Sequence, residues 1–135
     1  MEQEERAWLE FAKTDLGVAR HLNELYHPKP LEIICYHCQQ AAEKAIKALI
    51  VTSGVQSGMP KKHNLSFLLE QIKNNIEVSE KYYDYADTLT PYGIAVRYPN
   101  ELVIEERNVQ EALQYAEKIV RWIESIIDKN QEVEE

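Results

Sequence analysis

Cys35-Tyr36-His37-Cys38-Gln39-Gln40-Ala41-Ala42-Glu43-Lys44-Ala45-Ile46-Lys47-Ala48-Leu49-Ile50 separates at helical spacing into an apolar seam and a polar stripe. The seam is Ile34, Cys38, Ala41, Ala45 and Leu49, which step by three or four residues as a buried helix face must. Alanines there let a neighbouring helix approach closely, which suits the middle of a tight bundle. His37, Gln40, Lys44 and Lys47 step the same way along another side. They form an ordered row of donors suited to an anion or a nucleic-acid backbone. A row of this kind also serves simply to solvate an exposed face.

At 135 residues the chain reads as one domain, long enough to bury a core without disulfides or metal. Its 23 acidic against 15 basic side chains argue against a protein that coats nucleic acid non-specifically. The average hides an asymmetry. Between Tyr36 and His63 the one acid is Glu43, against Lys44, Lys47, Lys61 and Lys62, so this segment carries a net +3. The acidic opening Met1-Glu-Gln-Glu-Glu-Arg6 is not followed by an apolar run, and no stretch reaches membrane-spanning length. A cytoplasmic protein with no membrane partner is therefore expected, with Cys35 and Cys38 as reduced thiols. A thioredoxin-like redox pair would need a preceding strand, and no strand signal is present. A zinc site would need two further ligands, and His21, His27, His37 and His63 offer no second paired spacing. Neither a metal nor a cofactor is expected.

The periodicity predicts a first helix from about Glu4 to Tyr26, with Trp8, Ala12, Leu16, Ala19 and Leu22 or Asn23 inward. His27-Pro28-Lys29-Pro30 ends it, since proline cannot continue a helix interior. The second helix runs from Leu31 to about Ser53 and stops at Gly54, where a loop with two glycines and a proline leads to His63. Asn64 caps a third helix carrying Leu65, Leu68, Leu69 and Ile72. A fourth, with Ser79 as its N-cap, carries Tyr82, Tyr83, Tyr85, Ala86 and Leu89. Thr90-Pro91 reads as an N-cap with proline in the first turn of a short restart over Tyr92 to Val96. The last helix follows Val109, Ala112, Leu113, Ala116, Ile119, Val120, Ile123 and Ile127, with Asn108 and Glu111 as its capping box. No alternating stretch long enough for a sheet occurs. The expected fold is all-α, an up-and-down bundle of four long helices plus one or two short ones. Residues 1–127 form the domain and 128–135 an acidic tail whose end frays.

This layout resembles the HEPN family, small helical domains named for their occurrence in higher eukaryotes and prokaryotes and for nucleotide binding. Four landmarks in order carry the resemblance: Asp15-Leu16 with Ala19, Gln39 through Leu49, His63-Asn64-Leu65, and Ala95-Val96-Arg97-Tyr98-Pro99. Asn64 is a departure, since relatives more often carry Asp there; Asn caps a helix as well. The resemblance implies three roles: endoribonuclease toxin, partner of a small nucleotidyltransferase in a two-gene toxin–antitoxin module, and nucleotide-binding accessory domain. Ribonuclease members use an Arg followed four to six residues later by His. Arg97 is followed by Tyr98, Pro99, Asn100, Glu101, Leu102 and Val103, with no histidine in that reach. Metal-independent RNA cleavage needs a proton-transfer group near neutrality, so His63 or His37 would have to substitute.

The leading expectation is accordingly a homodimeric binding module for a nucleotide, RNA or a nucleotidyltransferase partner. The alternatives are a ribonuclease toxin with a displaced catalytic histidine and a structural dimerisation module whose polar stripe only solubilises the bundle. The candidate anion-binding residues are Lys44, Lys47, His63 and Arg97, with His37, Gln40 and Tyr98 at the edge. Arg97 can clamp a phosphate bidentately or satisfy carbonyls at a helix end. Tyr98 can stack on a base or fill a gap between helices. His63 sits beside Lys61-Lys62 at a helix start, where anions collect.

Overall fold

The computed structural model describes residues 3–54, 64–95 and 103–134. Among the described residues there are six helices and no strand: α1 (Gln3–Leu25), α2 (Leu31–Ser53), α3 (Leu65–Glu70), α4 (Glu80–Leu89), α5 (Tyr92–Ala95) and α6 (Glu106–Glu134). Four of them span 10–29 residues and two are short, so the chain is the predicted helical bundle.

Side-chain pairs give the directions of packing. Arg6 meets Asp128 at 2.5 Å, Lys13 meets Glu124 at 2.8 Å, and Arg20 pairs with Glu117, so residue numbers rise along α1 as they fall along α6. The three α1 cations recur every seven residues, which keeps them on one side of the helix. Trp8 lies by Lys47, whereas Asp15 lies by His37 and Lys44; α1 and α2 are therefore antiparallel as well. α3 and α4 form a short hairpin, closed by Tyr83 on Glu70 and by Ser66 on Asp87. α4 lies antiparallel to α6, with Tyr82 against Trp122 and Tyr85 against Tyr115.

α2 is the central helix. Its seam Ile34, Cys38, Ala41, Ala45 and Leu49 is fully buried, and Cys35, Ala42, Ile46 and Ala48 are buried beside it. Burial on so many sides follows from α2 packing against α1, α6 and the α3–α5 segment together. It ends where Gly54 turns to φ +76°, donating its N–H to Val51 O at 3.2 Å; only glycine takes this left-handed geometry without a Cβ penalty. The inward stripe of α1 is Leu9, Ala12, Leu16 and Ala19, with Trp8 half-buried at its edge rather than in it. The α6 face from Val109 to Ile127 is buried as its periodicity predicted, except that Leu113 packs at the margin.

Three predicted helix starts differ. Ser79 takes the N-cap position of α4 but its hydroxyl caps nothing. Thr90 continues the helical backbone of α4, and its hydroxyl donates to Ala86 O at 2.8 Å while accepting from Leu65 N at 3.1 Å, so it ties α4 to α3 instead of capping α5. α6 begins at Glu106, before the predicted box. Asn108 lies inside the first turn and reaches back to accept from Glu105 N at 2.8 Å, the return half of a capping box whose first residue is Glu105. Asn64 caps α3 as predicted, accepting from Phe67 N at 2.9 Å. At the other end α6 runs beyond residue 127 to Glu134.

Candidate functional site

The polar row of α2 is held by carboxylates that come out of apolar helix faces. On α1, Asp15 follows the same stripe as Ala12, Leu16 and Ala19 and is only 8% exposed. Its Oδ2 accepts from Lys44 Nζ at 2.6 Å, and its Oδ1 lies 2.9 Å from His37 Nδ1. On α2 itself Glu43 is 4% exposed and accepts from Lys47 Nζ at 3.0 Å, one helical turn away. The other Glu43 oxygen accepts from Gln39 Nε2 at 3.0 Å, and Gln39 in turn accepts from Gln40 Nε2 at 2.7 Å.

The row His37, Gln40, Lys44, Lys47 is thus neither a buried seam nor a solvated face. All four are half-buried and partnered. Of the two lysines Lys47 is the more enclosed, its side chain 15% exposed and its ammonium 5.3 Å from the Trp8 ring centre. Each lysine spends one contact on a carboxylate, and an ammonium has three donors, so both retain capacity for an acceptor from outside. The carboxylates fix where the ammonium groups sit and balance their charges one for one, so what the row keeps is spare N–H donors rather than net positive charge.

α5 packs onto this network. Gly93 lies so close to Gln39 that a Cβ there would stand 2.9 Å from the Gln39 side-chain carbon. Tyr92 is buried at its side, its hydroxyl pushed up to about 12 by burial and by neighbouring Cys35. Cys35 and Cys38 are both free and buried. Burial pushes the Cys35 thiol up to about 12 and raises that of Cys38 as well, so these are packing groups rather than nucleophiles. Among the described residues no cluster of His, Cys, Asp and Glu has the makings of a metal site. Nor is any helix among them long and apolar enough to cross a membrane.

Of the predicted site residues, His37, Gln40, Lys44 and Lys47 are brought together in this way. His63, Arg97 and Tyr98 lie outside the described residues, as do Lys61 and Lys62. Sequence reasoning missed Asp15, Gln39 and Glu43 as the organisers of the row. For Asp15 the signal was present, a charged side chain on the apolar stripe of α1, where burial demands a partner; Gln39 and Glu43 lie off the α2 seam, on a face whose burial the spacing did not announce.

The sequence matches the HEPN domain over residues 5–126. The chain belongs to the HEPN family. Among solved structures, this HEPN chain superposes on TT1696 from Thermus thermophilus with a TM-score of 0.79 and 28% identity, over 93% of this chain and 98% of that one. It also resembles ST0689, an archaeal HEPN homologue, with a TM-score of 0.71 and 26% identity, over 91% and 97% of the two chains. No curated protein sequence matches it.

Proposed function

We propose that this HEPN domain is a binding module that works as a homodimer and takes a nucleotide, RNA or a nucleotidyltransferase partner on the polar row of α2. The observation that carries this reading is the pair of buried carboxylates, Asp15 and Glu43, which hold Lys44 and Lys47 in place on a half-buried face. A face that served only solubility would carry freely rotating lysines. Fixed cations lower the entropic cost of meeting an anion. His63 directly precedes the cap residue of α3, and Arg97 follows α5 by two residues in the chain. Both belong to the proposed surface with Lys44 and Lys47, with Tyr98 as a stacking group. The toxin–antitoxin setting is the corresponding biological role. Thermal denaturation in the presence of nucleotides and short RNAs tests the binding: a ligand that binds only the folded state raises the melting temperature by mass action. Absence of a shift with every nucleotide and RNA would remove the nucleic-acid branch.

One observation favours an enzymatic variant of this reading. His37 Nδ1 is held by Asp15, which leaves Nε2 as the nitrogen the carboxylate does not engage, the arrangement by which a carboxylate orients a general base. In that variant His37 replaces the histidine missing after Arg97. Cleavage of single-stranded RNA that is abolished by His37→Ala would establish it, and intact RNA after prolonged incubation with the wild-type protein would dismiss it.

A further inference from the structure

The outward side of α1 carries a second stripe, separate from the buried one of Leu9, Ala12, Leu16 and Ala19. Ala7, Phe11, Thr14, Val18, His21 and Leu25 follow one another at steps of four and three, and all six are exposed. That alternation is the seam spacing by which one helix packs along another, and here it runs for about 27 Å, or about five turns. Phe11 is 56% and Leu25 71% exposed. Of the seven exposed large hydrophobic residues among those described, three stand on this stripe and two more, Tyr26 and Ile33, at the α1–α2 corner. Exposed apolar groups gathered in this way mark an interaction surface. Phe11 is braced by the half-buried Trp8, which it meets edge-on at 6.3 Å. Gly17, on the edge of the stripe, is a second sign. Glycine inside a helix is destabilising relative to alanine, and a Cβ added here would meet nothing within 4 Å, so no contact within the described chain calls for it. It leaves room for another backbone to approach from outside. Charge marks the same edge: Glu10, Gly17 and Glu24 recur every seven residues and are exposed. The cations of α1 are drawn the other way, since Arg6, Lys13 and Arg20 pair with Asp128, Glu124 and Glu117 of α6. Glu10 keeps a 3.9 Å contact with Lys13, and Glu24 pairs with no cation among the described residues.

We propose that this face of α1 is a docking site for a basic amphipathic helix of a partner protein, whose apolar side packs on the stripe and whose flanking lysines or arginines meet Glu10 and Glu24. An apolar seam bordered by carboxylates complements an apolar seam bordered by cations. Close approach at Gly17 seats the partner backbone low between the two acids, which brings its basic side chains within reach of them. A second copy of the chain fits less well. Two α1 faces packed antiparallel, with Phe11 opposite His21 and Thr14 opposite Val18, would set Glu10 of one beside Glu24 of the other, and each copy carries a net charge of −8. The same carboxylates repel an anionic lipid surface. The face is independent of the α2 row, since no residue is common to both.

Fluorescence-anisotropy titration of the full chain against three labelled synthetic helices of about five turns tests it. One has a leucine seam with lysine edges, one the same seam with glutamate edges, and one a serine seam with lysine edges. The leucine–lysine helix should bind on the order of tenfold tighter than either of the others. Phe11→Ser with Val18→Ser should weaken that binding on the order of tenfold or more, with melting nearly unchanged because both side chains are exposed. Glu10→Lys with Glu24→Lys should turn the preference toward the glutamate-edged helix. Gly17→Leu should raise the melting temperature through helix propensity and yet weaken binding, a split that a purely structural role for Gly17 would not give. The proposal is overturned if the leucine–lysine helix binds no tighter than the serine–lysine one, if the glutamate-edged helix binds equally well, or if binding survives both double variants. Light scattering of the chain alone and flotation with phosphatidylglycerol vesicles complete the test. Self-association that is lost on Phe11→Ser with Val18→Ser would give the face to a second copy, and vesicle binding lost in that variant would give it to a lipid surface, and either result overturns the proposal.

Discussion

The carboxylate of Asp15 on α1 holds the ammonium of Lys44 on α2 at 2.6 Å, and through this contact the buried stripe of one helix positions the polar row of the next. The same carboxylate takes His37 on its other oxygen. Because α1 and α2 run antiparallel, the pairing also fixes their register: sliding either helix by one turn would leave a nearly buried charge without a partner.

Asp15→Ala should therefore destabilise the fold by about 2–3 kcal/mol, since it strands a lysine and a histidine whose side chains are less than a third exposed. Chemical denaturation would show it as a lower midpoint. Lys44→Met in the same background should recover part of the loss, which a simple cavity effect at Asp15 would not allow.

Gly93→Ala tests the seating of α5. The added methyl would meet the Gln39 side chain at 2.9 Å and push on a hydrogen-bonded chain from Gln40 through Gln39 to Glu43. A cost of about 1–3 kcal/mol is expected from overpacking. Gln39→Ala beside it should relieve the clash, so the double variant should be more stable than the sum of the two single changes implies.

The buried thiols and Tyr92 set an alkaline limit. Cys35 moves from an ordinary value of 9.0 to about 12 in the folded chain, and Tyr92 from 10.0 to about 12. Above pH 9 the unfolded chain releases these protons while the folded chain keeps them, so stability holds below about pH 9 and falls progressively as pH rises toward 12. Melting temperature measured across this range should decline, and Cys35→Ala with Cys38→Ala should make the decline shallower. Alkylation of the native protein at pH 8 should be slow and should accelerate on unfolding.

Much of the bundle is legible in the sequence because its helices are bounded by chemistry that acts locally. Pro28 and Pro30 close α1, Gly54 closes α2, and Asn64 opens α3, each through a group within a few residues. The starts that differ have two causes. Thr90 serves Leu65 on another helix, a contact outside any local pattern, whereas α6 starts earlier through a local one, Asn108 turning back to accept from Glu105 N. The site divides the same way. Helical spacing alone sets His37, Gln40, Lys44 and Lys47 on one side of α2, but their pairing with Asp15 requires the register of α1, which no single-helix pattern contains.

The α1/α6 ion pairs are a contrasting case. Lys13 with Glu124 is a pair of exposed partners, so Lys13→Gln should cost less than about 1 kcal/mol, and that difference should shrink further at high salt. A denaturation series at two salt concentrations checks it.

Arg97→Ala, measured side by side for ligand affinity and for melting temperature, decides whether the α2 row and its chain neighbours form an anion-binding surface. With the nucleotide or RNA that shifts melting of the wild type, the variant should bind more weakly by about 1.5–3 kcal/mol through loss of charged hydrogen bonds, while its own melting temperature stays nearly unchanged. Lys44→Ala should weaken the same ligand in parallel. A variant that melts earlier yet binds with undiminished affinity would contradict the proposal, because Arg97 would then serve the fold and not a ligand.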